Sequence, residues 1–241
     1  MKKTISLLLS IALLLTTVAL ASNSWTCPSC GMNGLTGNFC PNCGTAKSSS
    51  SARSSVNVYA GANVFFGNYE QDGNYYNGPE PIEWTVLSVN GSKAYLVSKD
   101  VLKWDFFSTL DSVTFNQSTI NAWLNNNFYY CAFSSGEQNA VYGSVTLLSE
   151  AEVRQYMGTF TSRIARPTSA CANEGAYVWP GTGACDWWLR DTFEVNDYAS
   201  AKVLKYTKLI TGSGDYDLNG QRQNVNRRGV RPAIWVDVSM L

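Results

Sequence analysis

A mixed α+β domain behind a small cysteine module is the architecture this sequence predicts, and three observations carry it. Runs rich in β-branched and aromatic residues open the main segment, two amphipathic helical patterns follow, and short apolar runs return near the C-terminus with no repeated βαβ pattern. Ahead of them stand four cysteines in two C-x2-C pairs.

The chain begins with residues 1–21, MKKTISLLLSIALLLTTVALA, which place Lys2 and Lys3 before an uncharged apolar run and end on Ala19, Leu20 and Ala21. This is the pattern of a signal peptide cleaved after Ala21. The run is shorter than the roughly 20 apolar residues that span a bilayer, so a membrane is a partner only if the signal stays uncleaved. The expected location is secreted or extracytoplasmic. The chain carries 18 Lys+Arg against 18 Asp+Glu, and loss of Lys2 and Lys3 leaves it slightly acidic without a basic block. That balance excludes nucleic acid as an expected partner.

Residues 26–45 hold Cys27, Cys30, Cys40 and Cys43, with Pro28 and Pro41 inside the pairs and Gly31 and Gly44 just after them. Each knuckle turns two sulfurs toward one tetrahedral ion and glycine relieves the turn, so the spacing predicts a compact zinc ribbon. The alternative is two disulfides, which an oxidising compartment favours, but no thioredoxin-like pattern surrounds the pairs. So short a segment has no core, and a structural zinc supplies roughly 10 to 16 kcal/mol toward ordering it. With four protein ligands and no open position, the ribbon suits docking or spacing rather than catalysis. Residues 46–55 are Ser-rich and read as a flexible linker; residues 56–241 form the main domain.

Within that domain ANVFFGNYE and PIEWTVLSVN read as strands, and Asn90-Gly91 turns the second into SKAYLVSKDVL. In STINAWLNNNFYYCAF, Ile120, Trp123, Leu124 and Phe128 fall on one helical face behind a Ser118 cap. In LLSEAEVRQYM, Ser149 and Glu152 make a capping box before a second helix. From Ala170 onward the chain reads as long loops ending in the short strands DWWLRD, AKVLKYTKLIT and GVRPAIWVDV.

The segments FGNYEQD (Phe66 to Asp72), PIEWTVLSV (Pro81 to Val89), STINAWLNNNF (Ser118 to Phe128), LLSEAE (Leu147 to Glu152), RPTSA (Arg166 to Ala170), WWLRD (Trp187 to Asp191) and GVRPAIWV (Gly229 to Val236) stand in a telling order. The chain resembles, from Val64 to Val238, a bacterial domain family of unassigned activity common in Firmicutes, often placed behind zinc ribbons or membrane anchors. That family is similar to the C-type-lectin-like fold of formylglycine-generating enzymes and of phage and bacterial receptor-binding proteins. The resemblance implies a C-type-lectin-like mixed sheet with two helices and long loops, and no activity.

The chain has no histidine, so no imidazole base, His ligand or His-based triad is available. The formylglycine-generating relatives use a cysteine pair near the C-terminus; Cys171 and Cys185 are the candidates here, but no motif match surrounds them. A disulfide closing the 171–185 loop is the expectation, and Cys131 is expected to be a buried small hydrophobe. Glu70 with Asp72, and Asp215 with Asp217, are acid pairs whose spacing sets no glycosidase geometry and which read as loop acids. Asp215, Asp217, Asn219 and Gly220 reproduce the opening of a calcium loop, yet the twelfth position is Asn226 instead of a bidentate glutamate. A polar hairpin turn is expected there, with calcium as the alternative. Arg190 and Arg231, set among Trp187, Trp188, Pro232 and Trp235, are expected to be structural clasps; recognition of a ligand carboxylate or phosphate is the other role such arginines take.

The leading function is an exported, non-enzymatic recognition module for a protein or glycan at the cell envelope. Its surface is expected between Trp188 and Gly229, on Tyr198, Tyr206, Tyr216, Asn219, Asn224 and Asn226, because tyrosine gives rigid contact area and asparagine adaptable hydrogen bonds. The rival is a cell-envelope enzyme or enzyme subunit using acidic loops or the cysteine pair.

Overall fold

The computed structural model describes residues 24–27, 31–36, 41–42, 57–199 and 202–241, and the chain divides into two compact units, residues 1–54 and 55–241. In the first unit Trp25 and Leu35 exchange both backbone hydrogen bonds, at 2.9 and 3.1 Å. Between them Gly31 takes φ +71° and donates its N–H to the Cys27 carbonyl, and Cys27 donates to Met32. Cys27 is buried beside Leu35 and Trp25. The expected leader (1–21), Cys30, Cys40, Cys43 and the linker (46–55) lie outside the described residues.

The second unit is mixed α+β with two five-stranded sheets. The first has the order β1 (Asn63–Tyr69), β2 (Glu80–Asn90), β3 (Lys93–Ser98), β10 (Ala233–Asp237), β5 (Val141–Thr146), all antiparallel. Asn90 pairs with Lys93 across the expected hairpin, where Gly91 supplies φ +59°. The second sheet runs β4 (Lys103–Asp105), β9 (Arg228–Val230), β6 (Trp187–Asp197), β7 (Lys202–Ile210), β8 (Tyr216–Arg222). Only its β6–β9 contact is parallel, at Trp187 and Gly229. A Cβ on Gly229 would stand 2.6 Å from Val101 and 2.8 Å from the Asp186 carbonyl, so this motif glycine is required by close approach.

Strand alternation distributes the core. In β3, Ala94 and Leu96 enter one apolar cluster while Tyr95 and Val97 enter another, and in β10 Ile234 and Val236 part from Ala233 in the same way. The first sheet is therefore covered on both faces. β6 does the same with its paired tryptophans: Trp188 lies in the first cluster and Trp187 in the second. Both are fully buried, and each indole N–H finds a carbonyl, Trp188 on Asp105 at 3.0 Å and Trp187 on Arg163 at 3.0 Å.

The first expected helix forms with its face as read. Ser118 Oγ accepts from Asn121 N at 3.1 Å, and Ile120, Leu124 and Phe128 are buried. It is not continuous: α1 (Thr119–Trp123) passes through a π turn at Leu124–Phe128 into α2 (Tyr129–Ala132). There the Asn125 side chain both donates to the Val145 carbonyl and accepts from its N–H, taking the place of a strand neighbour for β5. The second expected helix is α4 (Glu150–Tyr156), with the Ser149 and Glu152 capping box in place. Three helices go beyond the two expected: α3 (Ser135–Ala140), α5 (Phe160–Arg163) and α6 (Ser169–Asn173). Each is too short to show a helical period and each begins at a Ser or Thr cap. The expected strands DWWLRD and AKVLKYTKLIT form as β6 and β7, but β6 runs on to Asp197 and β8 takes up expected loop, so the three make an antiparallel ribbon. Cys131, expected buried, is exposed, because Phe128 and Ala132 take the inward face of this helix.

Candidate functional site

Of the surface residues the sequence singles out, Tyr198 sits at the β6–β7 turn and is 90% exposed. Tyr206 lies in β7, opposite Phe193 on one side and Arg222 on the other, with its ring 6.3 Å from that of Phe193. Asn219 is exposed on β8, the edge strand of its sheet. Asn224 and Asn226 occupy the turn after β8, where Asn226 donates to Gln221 at 3.4 Å and the buried Asn224 Oδ1 has no partner. Tyr216 stands apart: it pairs with Ile210 at the far end of β7, and Arg154 and Arg163 lie over its ring at 4.3 and 4.8 Å. The nine residues of β7 separate Tyr198 from Tyr216 by roughly 27 Å at ~3.3 Å per residue, so the six residues do not converge on one pocket. Tyr216 serves as packing under the two arginines.

The expected polar turn at Gly214 to Gly220 is largely strand. Asp217 and Asn219 lie in β8, and Asp215 just before it. Extended backbone spaces alternate residues by roughly 7 Å instead of wrapping them around one ion. Their carboxylates are also engaged locally: Asp217 accepts from Gly220 N and Gln221 Nε2 at 3.1 Å each, and Asp215 from Ser213 Oγ at 2.9 Å. Glu70, Asp72 and Glu80 form an acidic group with oxygens within 4.8 Å of one another. Loop N–H groups occupy them: Glu80 accepts from Gln71 and Asp72, Glu70 from Gly73, and Asp72 from Asn74. Asn77, the largest influence, and then the Asn74 N–H hold the Asp72 carboxyl below its ordinary value, so it suits a fixed loop anion and not a proton donor.

The expected disulfide is absent: Cys171 and Cys185 are both free and buried in the second cluster. Their loop is closed by other means. Cys185 N donates to Ala165 O at 3.1 Å, Cys171 N to the Thr168 cap at 3.2 Å, and Trp179 N to Ala184 O at 2.7 Å. Burial pushes the Cys185 thiol up to about 12 and drives Cys171 higher still, which disfavours the thiolate a nucleophile needs.

The two motif arginines differ. Arg190 Nη1 meets Glu152 Oε2 and the Leu147 carbonyl, both at 2.6 Å, and its backbone N–H donates to Leu148 O at 3.0 Å. Glu152 also accepts from Ser149 N at 2.7 Å and from Tyr95 Oη at 3.2 Å. Burial works to raise the Glu152 carboxyl, but the bonds from Arg190 and Ser149 prevail and hold it below the ordinary range. Arg190 is the expected clasp, joining β6 to the start of α4. Arg231 is only 3% exposed and lies 5.1 Å over the Trp187 ring. Its Nε donates to Ser98 O at 2.7 Å, but its buried Nη1 has no partner. Burial pushes its pKa down to about 10, against the pull of nearby Asp100. Sequence reading found this arginine through its motif but not the segments around it, which come from distant parts of the chain. Among the described residues, no helix is long and apolar enough to cross a membrane. The chain matches no protein-family model, and comparison with curated proteins and with solved structures likewise finds no match.

Proposed function

We propose that this chain is an exported recognition module with a C-type-lectin-like body, binding an envelope protein or glycan through the β6–β8 ribbon and carried behind a structural zinc ribbon. The observation that carries this reading is a series of large apolar side chains left in solvent along that ribbon and its turns: Tyr198, Val203, Leu218 and Val225, interleaved with Asn219, Asn224 and Asn226. Apolar groups kept exposed among adaptable polar ones suit a contact surface better than a solvated rim. Engaged loop acids and thiols pushed upward favour binding over chemistry.

For the N-terminal unit, the Cys27 turn closed by Gly31 agrees with a zinc knuckle. Metal analysis of the secreted protein should find one zinc per chain held by Cys27, Cys30, Cys40 and Cys43; four oxidised cysteines and no zinc would sink that part. For the ribbon, Tyr198, Tyr206, Asn219, Asn224 and Asn226 should be changed together to alanine. Capture of envelope proteins and arrayed glycans should be lost while the melting temperature is kept. Unchanged capture at unchanged stability would move the surface elsewhere.

A further inference from the structure

A cavity of about 550 Å³ is walled by the chain around Gly61 and Asn63, by Thr85 to Leu87 of β2, by the end of α4 at Tyr156 and Met157, and by α5 with Ile164. That volume is in the range of pockets that enclose small molecules. Leu87, Met157 and Ile164 make an apolar wall, and Thr161 and Ser162 bring hydroxyls to the exposed side. Two cations belong to the lining, Lys99 and Arg231. Lys99 is already spent on Glu83 at 2.7 Å, whereas Arg231 is buried with Nη1 unpartnered.

A guanidinium withdrawn from water with part of its fork unsatisfied costs free energy that only an acceptor recovers. Planar carboxylates match that fork best. Asp100, itself half-buried, stands close enough to act on Arg231, and Glu83 sits beside Lys99, so the local field is nearly balanced. With no net positive charge to spare, a single negative charge that bonds the guanidinium directly is tolerated better than a dianion such as phosphate. We infer that this cavity binds a small monocarboxylate with an apolar body, its carboxylate on Arg231 and its body along Leu87, Met157 and Ile164. Such a group comes either from a free organic acid or from the C-terminus of a peptide. The site shares no residue with the ribbon set, so the two readings stand or fall separately.

The test uses the intact secreted chain, with calorimetry and thermal shift against phenylacetate, isovalerate, a Gly-Leu-Phe tripeptide with free or amidated C-terminus, and inorganic phosphate. At least one carboxylate should bind, at least tenfold tighter than its amide or than phosphate; the free acids or the free tripeptide, whichever is tighter, identifies the source. Arg231→Met should abolish binding and Arg231→Lys should weaken it at least tenfold. Thr161→Trp, on the exposed side of the cavity, should block binding without lowering the melting temperature, which keeps the test decisive if Arg231→Met does not fold. No carboxylate bound at millimolar concentration, equal binding of acid and amide, preference for phosphate, or wild-type affinity in Thr161→Trp would each overturn the assignment.

Discussion

Arg190 and Arg231 stand in two equally aromatic motifs, and the sequence treats them alike; the folded chain does not. Around Arg190 the ion pair is answered on both sides: Glu152 and the Leu147 carbonyl take its Nη1, and Ser149 and Tyr95 complete the carboxylate. Around Arg231 one nitrogen is answered by Ser98, a tryptophan ring lies beneath, and Nη1 has nothing. A saturated arginine holds a fold together, whereas an unsaturated one at a cavity wall is set up to hold something else. Burial alone does not separate the two roles, since the more deeply buried arginine is the less satisfied one.

The largest expected effect comes from the start of β6, the strand that carries Arg190 and, through Trp187, the ring under Arg231. Trp188→Ala should cost about 3–5 kcal/mol, as truncating a fully buried aromatic does. A much smaller loss in a denaturant melt would mean that the start of β6 is not a rigid base. Next, Arg190→Met should destabilise by about 1–3 kcal/mol, because it strands the Glu152 carboxylate and a carbonyl. Arg231→Met should fall within about 1 kcal/mol of wild type: it loses the Ser98 bond but also removes an unsatisfied buried charge. Equal losses for the two methionine variants would erase the distinction.

Acid titration sharpens it further. The Glu152 carboxyl is held below its ordinary 4.5 in the folded chain, so the unfolded chain binds its proton more readily. Its contribution is complete above that value and is lost as pH falls through the lower folded value. Melts between pH 6 and pH 3 should therefore show a shallower acid decline in Arg190→Met than in wild type or Arg231→Met. The smallest effect concerns the module in front. Deleting residues 1–53 should move the main transition by no more than about 0.5 kcal/mol, and a larger drop would show that the Ser-rich stretch does not insulate the domain.

Much of the scaffold was legible because period and caps are local. β-Branched and aromatic residues in PIEWTVLSV, with the Asn90-Gly91 turn into KAYLV, mark strands, and Ser118 and Ser149 mark helix starts that form as read. β8 was not legible: Asp217, Asn219 and Gly220 carry turn chemistry, and only pairing with β7, from Ile210 opposite Tyr216 to Tyr206 opposite Arg222, holds them extended. Cys131 was misread because apolar neighbours do not reveal which way a single position faces. The Arg231 cavity was out of reach for another reason. Its wall is assembled from segments between residues 60 and 231, and no local pattern records that they meet.

The place of β10 in the first sheet has a consequence for the order in which the domain can fold. Residues 233–237 are not an edge but the strand between β3 and β5, with Trp235 stacked on Tyr95 at 4.8 Å. Until those residues are available, β3 and β5 have no common neighbour, and neither core can close around Ile234 and Ala233. A growing chain is thus kept from completing its fold until nearly all of the domain has been made. Such late, long-range closure is slow.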